Sequence, residues 1–158
     1  MNMDNLIIRD AEVNEYLDVE NILKQVQELH VNLRPDIYKP MDVVMSEESY
    51  LESIKKDKFM VVEVEGVLCG LFILIERIYN MPTHIKRKII YLDTMVIDKE
   101  YRNKGIGTKV FEYIKRYAKE NKYDGIELQV NARNVVARKM YEKNGFTEKS
   151  INMEISNL

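Results

Sequence analysis

The chain has 158 residues, 46% of them apolar and 32% charged, which suffices for one folded domain over residues 1–158 and leaves no material for a second core. Lysine and arginine (24) nearly balance aspartate and glutamate (26), giving a net charge of −2. That balance removes any overall electrostatic reason to expect nucleic acid or an anionic membrane surface as a partner. The single cysteine, Cys69, has no internal disulfide partner, and the first residues lack the basic-then-apolar order of a secretory leader. The longest nearly apolar run, Val67 to Ile75, is too short to span a bilayer, so a cytoplasmic, reducing location is expected.

Leu6-Ile7-Ile8-Arg9 reads as a short first strand. Leu17, Ile22, Leu23, Val26 and Leu29 then recur at helical spacing, predicting an amphipathic helix with Asn14 or Asp18 as its cap. Pro35 ends it, because proline disfavours helix at the preceding Arg34 and cannot continue one itself. Ser46 followed by Glu47 and Glu48 signals a second helix, with Tyr50, Leu51 and Ile54 as its apolar face. Phe59 to Glu65, then Gly66, then Val67 to Ile75 has the pattern of a hairpin whose second strand is the more buried. Residues 77–88 read as a connector, with a turn signal at Asn80-Met81-Pro82-Thr83 and a solvated Lys86-Arg87-Lys88.

Lys88 to Ile97 is β-rich and mostly apolar, as a strand inside a sheet should be. Val110, Phe111, Ile114, Tyr117 and Ala118 repeat at helical spacing, so a helix opens near Gly107. Between the two lies Tyr101-Arg102-Asn103-Lys104-Gly105-Ile106-Gly107-Thr108. A helix start leaves N–H groups unpaired and carries partial positive charge, which attracts phosphate oxygens. Gly105 and Gly107 lack the Cβ atoms that would keep a pyrophosphate off the main chain, and Arg102 and Lys104 add cations. The turn is not a Walker loop, since Gly107-Thr108-Lys109 stands where Gly-Lys-Ser/Thr is required. Nor is it a dinucleotide fingerprint, because Val110 occupies the third glycine position. A strand over Gly125 to Val130, a helix through Ala137, Met140 and Tyr141, and a last strand around Lys149 to Ile155 complete the chain. The order β-α-α-β-β-β-α-β-α-β predicts an α/β sandwich with a mixed sheet.

The Arg102-x-x-Gly105-x-Gly107 turn, following a strand that ends Met95-Val96-Ile97-Asp98, resembles the acyl-CoA turn of the GNAT superfamily of N-acyltransferases. A second segment, Asn131-Ala132-Arg133-Asn134 followed by Met140-Tyr141-Glu142-Lys143-Asn144-Gly145-Phe146, is similar to that family's Asn-x-x-Asn…Tyr-Glu-Lys-x-Gly-Phe helix. The resemblance runs along most of the chain and implies a GNAT-type fold: a mixed, mainly antiparallel sheet with helices on both faces. Two parallel strands, here 88–97 and 125–131, would splay apart so that a pantetheine arm fills the gap. It further implies acetyl-CoA as cosubstrate, no metal, and an amine acceptor that is a small molecule or a protein. Dimers are common among such proteins, and no residue pattern here marks a homodimer interface. The short stretch 147–158 is a departure, barely leaving room for the extra strand many members carry on the substrate side.

Acetyl transfer to an amine by direct attack passes through a tetrahedral intermediate and needs a neutral amine, an oxyanion donor and a proton for the departing thiolate. A lysine-like amine costs about 4–5 kcal/mol to neutralise at pH 7, an α-amine only ~1.4 kcal/mol, so a strong base is needed mainly for the first. Tyr141 lies seven positions beyond Asn134, on one face of a helix. The resemblance implies that Asn134 bonds the pantetheine arm and that Tyr141 protonates the sulfur; a core role for Tyr141 is the competing reading. It likewise implies that main-chain N–H groups near Met95 or Val96 meet the oxyanion, while those of Asn103, Lys104, Gly105, Ile106, Gly107 and Thr108 hold the phosphates. Asp93 is the candidate base, placed by alternation on the same face as Met95, with Glu76 as competitor. Cys69 reads as a core thiol, and His30 and His84 have no metal-ligand spacing. The loop from His30 to Pro40 brings Arg34, Asp36 and Tyr38 either to the acceptor pocket or to plain surface. The alternative function is a non-catalytic CoA or acyl-CoA sensor that keeps the cleft without the chemistry.

Overall fold

The structure, a computed structural model, describes residues 2–158. Five strands form one sheet in chain order: β1 (Leu6–Asp10), β2 (Lys58–Val64), β3 (Val67–Tyr79), β4 (Arg87–Ile97) and β5 (Gly125–Leu128). The first four pair antiparallel with their neighbours, as hairpin-type connections require, and β4 pairs parallel with β5 across a helical crossover. Helices α1 (Tyr16–Leu33) and α2 (Glu47–Lys56) cover one face, where Val19, Ile22, Leu23 and Tyr50 pack on Phe59, Val61, Leu71, Ile73 and Val96. Helices α3 (Ile106–Glu120) and α4 (Val135–Lys143) cover the other, where Ile106, Val110, Phe111 and Ile114 pack on Met60, Phe72, Ile90 and Leu92.

Local chemistry explains most element ends. Ser46 caps α2 by accepting a hydrogen bond from Ser49 N at 3.1 Å, and α1 stops at Leu33, before the residue that Pro35 restricts. Neither Asn14 nor Asp18 caps α1. The helix is instead entered through a 3₁₀ turn over Val13–Glu15, in which Glu12 and Glu15 form a reciprocal capping box. Leu17 and Leu29 sit at exposed positions, so the apolar stripe of α1 is narrower than its spacing suggests.

Five further expectations are corrected. Strand β2 is as thoroughly covered as β3, because both sheet faces carry helices at that point while the end of β3 runs beyond them. The connector shrinks to residues 80–86, since β3 continues to Tyr79 and β4 begins at Arg87. Arg87 and Lys88 are paired: Arg87 lies 3.7 Å from Glu127, while Lys88 lies 3.3 Å from Glu76 and over the Tyr123 ring. Residues 129–131 lie outside β5, and no strand forms over Lys149 to Ile155.

Candidate active site

The parallel register runs from Ile89 opposite Gly125 to Leu92 opposite Leu128 and stops there. Strand β4 continues to Ile97 paired only with β3, so its other edge from Asp93 onward faces a gap. At that point β4 is bulged: Ile73 opposes Thr94 while Leu74 opposes Leu92, leaving Asp93 as the extra residue. The bulge switches the strand's phase. Ile90 and Leu92 pack toward α3 and α4, as do Met95 and Ile97, whereas Val96 packs toward α1 and α2. Simple alternation would have put Asp93 beside Met95; the bulge sets them on opposite faces, with Asp93 exposed and accepting from Thr94 Oγ1 at 3.1 Å.

Gly70 lets β3 and β4 approach here, since a Cβ would stand 2.9 Å from both the Val96 carbonyl oxygen and Ile97 Cδ1. Its neighbour Cys69 is fully buried, donates to the Val62 carbonyl at 3.3 Å, and has its thiol pushed up to about 11 by burial. That makes it a packed core thiol with negligible thiolate at neutral pH.

Below the gap, the chain turns from β4 into α3. Asp98 accepts from Glu100 N at 2.9 Å, and Gly105 takes φ +82° to start the helix, a conformation that side chains resist. No side chain caps α3, and the main-chain N–H groups of Asn103 through Thr108 find no acceptor among the described residues. Arg102 and Lys104 are less free than their letters imply. Arg102 Nε donates to the Ile97 carbonyl and Lys104 Nζ to the Glu100 carbonyl, each at 2.9 Å, so both hold the turn's shape while keeping their charge beside it. Gly107 has ordinary helical φ, and a Cβ there would meet only Met140 Sδ at 3.5 Å and Met95 Cε at 3.8 Å. Protein packing therefore does not demand glycine at 107. The same contacts bring β4, α3 and α4 together at the floor of the gap.

Asn134 caps α4 through Oδ1, which accepts from Ala137 N at 3.1 Å; its Nδ2 is left to donate elsewhere. Tyr141 packs edge-on against Phe111 (5.9 Å) and against Phe146 (5.8 Å), and its hydroxyl makes no hydrogen bond to the described residues. Burial raises its pKa, which keeps the phenol protonated at neutral pH. Glu76 is committed elsewhere: it accepts from Tyr123 Oη at 2.7 Å, which with Lys88 lowers its pKa, and it pairs with Ile90, well below the gap. Val96 and Ile106 bury their side chains in the core and can offer a ligand only main chain.

Three residues to which the sequence pattern gives no role organise the surroundings. Gln25 of α1 donates to Asp98 Oδ2 at 3.1 Å and accepts from Lys99 N at 2.9 Å, tying the helix to the phosphate-type turn. Glu20, a buried carboxylate, accepts from Val44 N and Met45 N and fastens the α1–α2 loop. Arg133 Nη1 donates to the Leu33 carbonyl at 3.1 Å, joining the loop after β5 to the end of α1. Nothing local distinguishes Gln25 or Arg133 from solvated helix and loop residues; only Glu20, among Val19, Ile22 and Leu23, carries a signal, a charge on the apolar stripe. In the α1–α2 loop, Arg34 pairs with Asp36 at 2.7 Å and with Glu154 near the chain's end at 2.6 Å, and Tyr38 packs tilted on His30 with ring centroids 4.8 Å apart, so those residues are engaged within the chain. Among the described residues there is no cluster of metal-ligating side chains, and no helix is long and apolar enough to cross a membrane.

The structure thus holds an unpaired strand edge from Asp93 onward, an uncapped helix start at Gly105, and a further helix that carries Asn134 at its N-cap and Tyr141 near its end. The family model of the acetyltransferase (GNAT) family matches residues 23–146. The chain belongs to this family. It is 32% identical over 97 residues to an uncharacterized N-acetyltransferase of Methanocaldococcus jannaschii, covering 61% of this chain and 42% of that protein. The chain thus spans less than half the length of that archaeal relative. Streptothricin acetyltransferase of Escherichia coli is 24% identical over 139 residues, 86% of this chain and 76% of that one. Among solved structures, a mutant of a Bacillus halodurans protein superposes with TM-score 0.92 at 29% identity, covering 96% of this chain and 99% of that one. An aminoglycoside N-acetyltransferase in complex with CoA shares the fold at TM-score 0.68 and 12% identity, covering 96% and 99% of the two chains.

Proposed function

We propose that this chain transfers the acetyl group of acetyl-CoA to a primary amine of a small molecule or protein by direct attack. The observation that carries the reading is the row of unpaired N–H groups from Asn103 to Thr108, at a helix start whose Gly107 lies against Met95 of the unpaired part of β4. Those amides would hold the diphosphate, with Gly107 giving it access to the main chain. The amide of Asn134 would bond the pantetheine arm through Nδ2. Bound acetyl-CoA supplies the thioester; the polypeptide supplies orientation, an oxyanion donor on the edge near Met95 and Val96, and proton management. Tyr141 would give its proton to the departing sulfur. Asp93, exposed on the α1–α2 face, would receive a proton from the incoming amine directly or through water, and Glu76 is too far along the sheet and too engaged to compete.

The experiment is release of free thiol from acetyl-CoA in the presence of an amine panel. Polyamine-like compounds of the streptothricin and aminoglycoside type belong on it, because proteins of similar sequence or fold carry those substrates in their names. Calorimetry with CoA runs beside it. Thiol release that depends on an amine supports the transferase reading. CoA binding without turnover on any amine would instead mark a sensor, and absence of CoA binding would overturn the site itself.

A further inference from the structure

Arg77 of β3 is a cation without an acid. Its guanidinium carbon lies 3.3 Å from the centroid of the Tyr91 ring on β4, and it makes no hydrogen bond or ion pair to the described residues. Tyr91 is buried and Arg77 half-buried, so the charge is held in one place against the sheet. A ring packed on one face of a guanidinium leaves its in-plane N–H donors free. Donors that have lost part of their water and gained no acceptor are unfavourable until something else meets them.

The neighbouring carboxylates are already engaged. Glu127 stands opposite Tyr91 in the β4–β5 register, but it accepts from Lys149 Nζ at 2.6 Å and from Tyr79 Oη at 3.3 Å, and lies 3.7 Å from Arg87. Glu76, next to Arg77 in the chain, faces the other side of the sheet, where Tyr123 and Lys88 hold it. At the level of Tyr91, Arg77, Arg87 and Lys149 are thus matched by Glu127 alone among the described residues, and the patch has positive charge to spare.

The position of this patch matters. Tyr91 precedes Asp93 by two residues on β4, about 7 Å along the strand. Ile90 and Leu92 pack toward α3 and α4, so Tyr91 and the guanidinium on it share the opposite side with Asp93, next to the point where the pairing of β4 and β5 ends. With the phosphates of CoA at the start of α3, the acceptor amine would reach the thioester from that side.

We propose, resting on the transfer reaction above, that Arg77 binds a carboxylate of the acceptor and that the acceptor is therefore an amino acid or a related amino-carboxylic acid. A guanidinium meets a carboxylate through two parallel N–H···O bonds, which fix direction as well as position. Opposite charges at the two ends of the site orient a zwitterion: its ammonium turns to Asp93, where it loses a proton, and its carboxylate turns to Arg77. An amine without the carboxylate leaves the guanidinium unpaired, and a polycation is repelled by it, so both are discriminated against.

Free α- and ω-amino acids, each beside its own amide, and lysine beside cadaverine, are compared as acceptors by thiol release from acetyl-CoA. The acids are expected to exceed their amides by about 10–100-fold in kcat/KM, chiefly through KM. Arg77→Gln is expected to bring each pair to parity with CoA affinity by calorimetry unchanged. Amine-dependent thiol release with acids and amides equal overturns the Arg77 assignment and leaves the transfer reading standing, as does cadaverine outperforming lysine or an acid preference that survives in Arg77→Gln. Absence of thiol release on every amine fails the transfer reading instead. The carboxylate site is then decided by calorimetry of N-acetyl amino acids against their amides on the CoA-loaded protein, where heats that do not depend on the carboxylate overturn it. The acid–amide comparison on the unaltered chain decides the matter even where the Arg77 variant fails to fold.

Discussion

Tyr141→Phe separates the proposed acid from the packing that holds it. The variant deletes one oxygen that has no hydrogen-bond partner among the described residues and keeps the ring between Phe111 and Phe146, at centroid distances of 5.9 and 5.8 Å. With no intramolecular bond lost, stability is expected to change by less than about 1 kcal/mol. Catalysis is different. General acids contribute roughly 10²–10⁴-fold, and a thiol with pKa near 8.5 leaves tolerably well without help, so the lower end applies. A fall in kcat of about 100-fold, ~2.7 kcal/mol of barrier, is expected, with CoA affinity unchanged by calorimetry. Acetyl donors with a more acidic thiol should recover much of the loss. Since burial raises the phenol's pKa, the acid form persists through neutral pH, and no alkaline limb from this group is expected below its ordinary value of 10. Unaltered turnover of the acetyl-CoA reaction, or a decline in kcat matched by an equal decline in CoA affinity, would refute the assignment.

Asp93→Asn is expected to remove the acidic limb of the kcat/KM profile with lysine-like amines and to matter less for α-amines; a limb that survives places the base elsewhere. Gly70→Ala would drive a Cβ to 2.9 Å from the Val96 carbonyl oxygen, and a loss of about 1–3 kcal/mol in denaturant unfolding is expected, with unchanged stability contradicting the contact. Cys69 should resist iodoacetamide in the folded protein and react on unfolding, and Cys69→Ala should keep its turnover; rapid native alkylation would show that the thiol is not sealed. Asp36 is held at about 2, below its ordinary 3.8, chiefly by its hydrogen bonds from Arg34. A depressed carboxylate stabilises the fold above its unfolded pKa and loses that contribution as pH falls toward 2. Carboxyl NMR should therefore place its midpoint near 2 and return it to the ordinary range in Arg34→Ala.

What the sequence made legible is what local chemistry determines. The Ser46 cap, the break at Pro35, the Gly66 hairpin and the Gly105 turn each depend on a residue whose conformational preference acts where it stands. The parallel strands followed from the resemblance, and their pairing ends at Leu128 while β4 continues from Asp93 to Ile97. Three other features depend on partners distant in the chain. The bulge at Asp93 arises from how β3 and β4 register, so strict alternation was the correct inference from β4 alone and still set the carboxylate on the wrong face. Gln25 matters only because α1 crosses the turn after β4, and Glu20 only because the α1–α2 loop folds back over it. The tail carries the same lesson furthest. Lys149 to Ile155 reads as a strand in the sequence, yet no segment pairs with it in the structure, because a strand is a ladder between two segments and not a property of either.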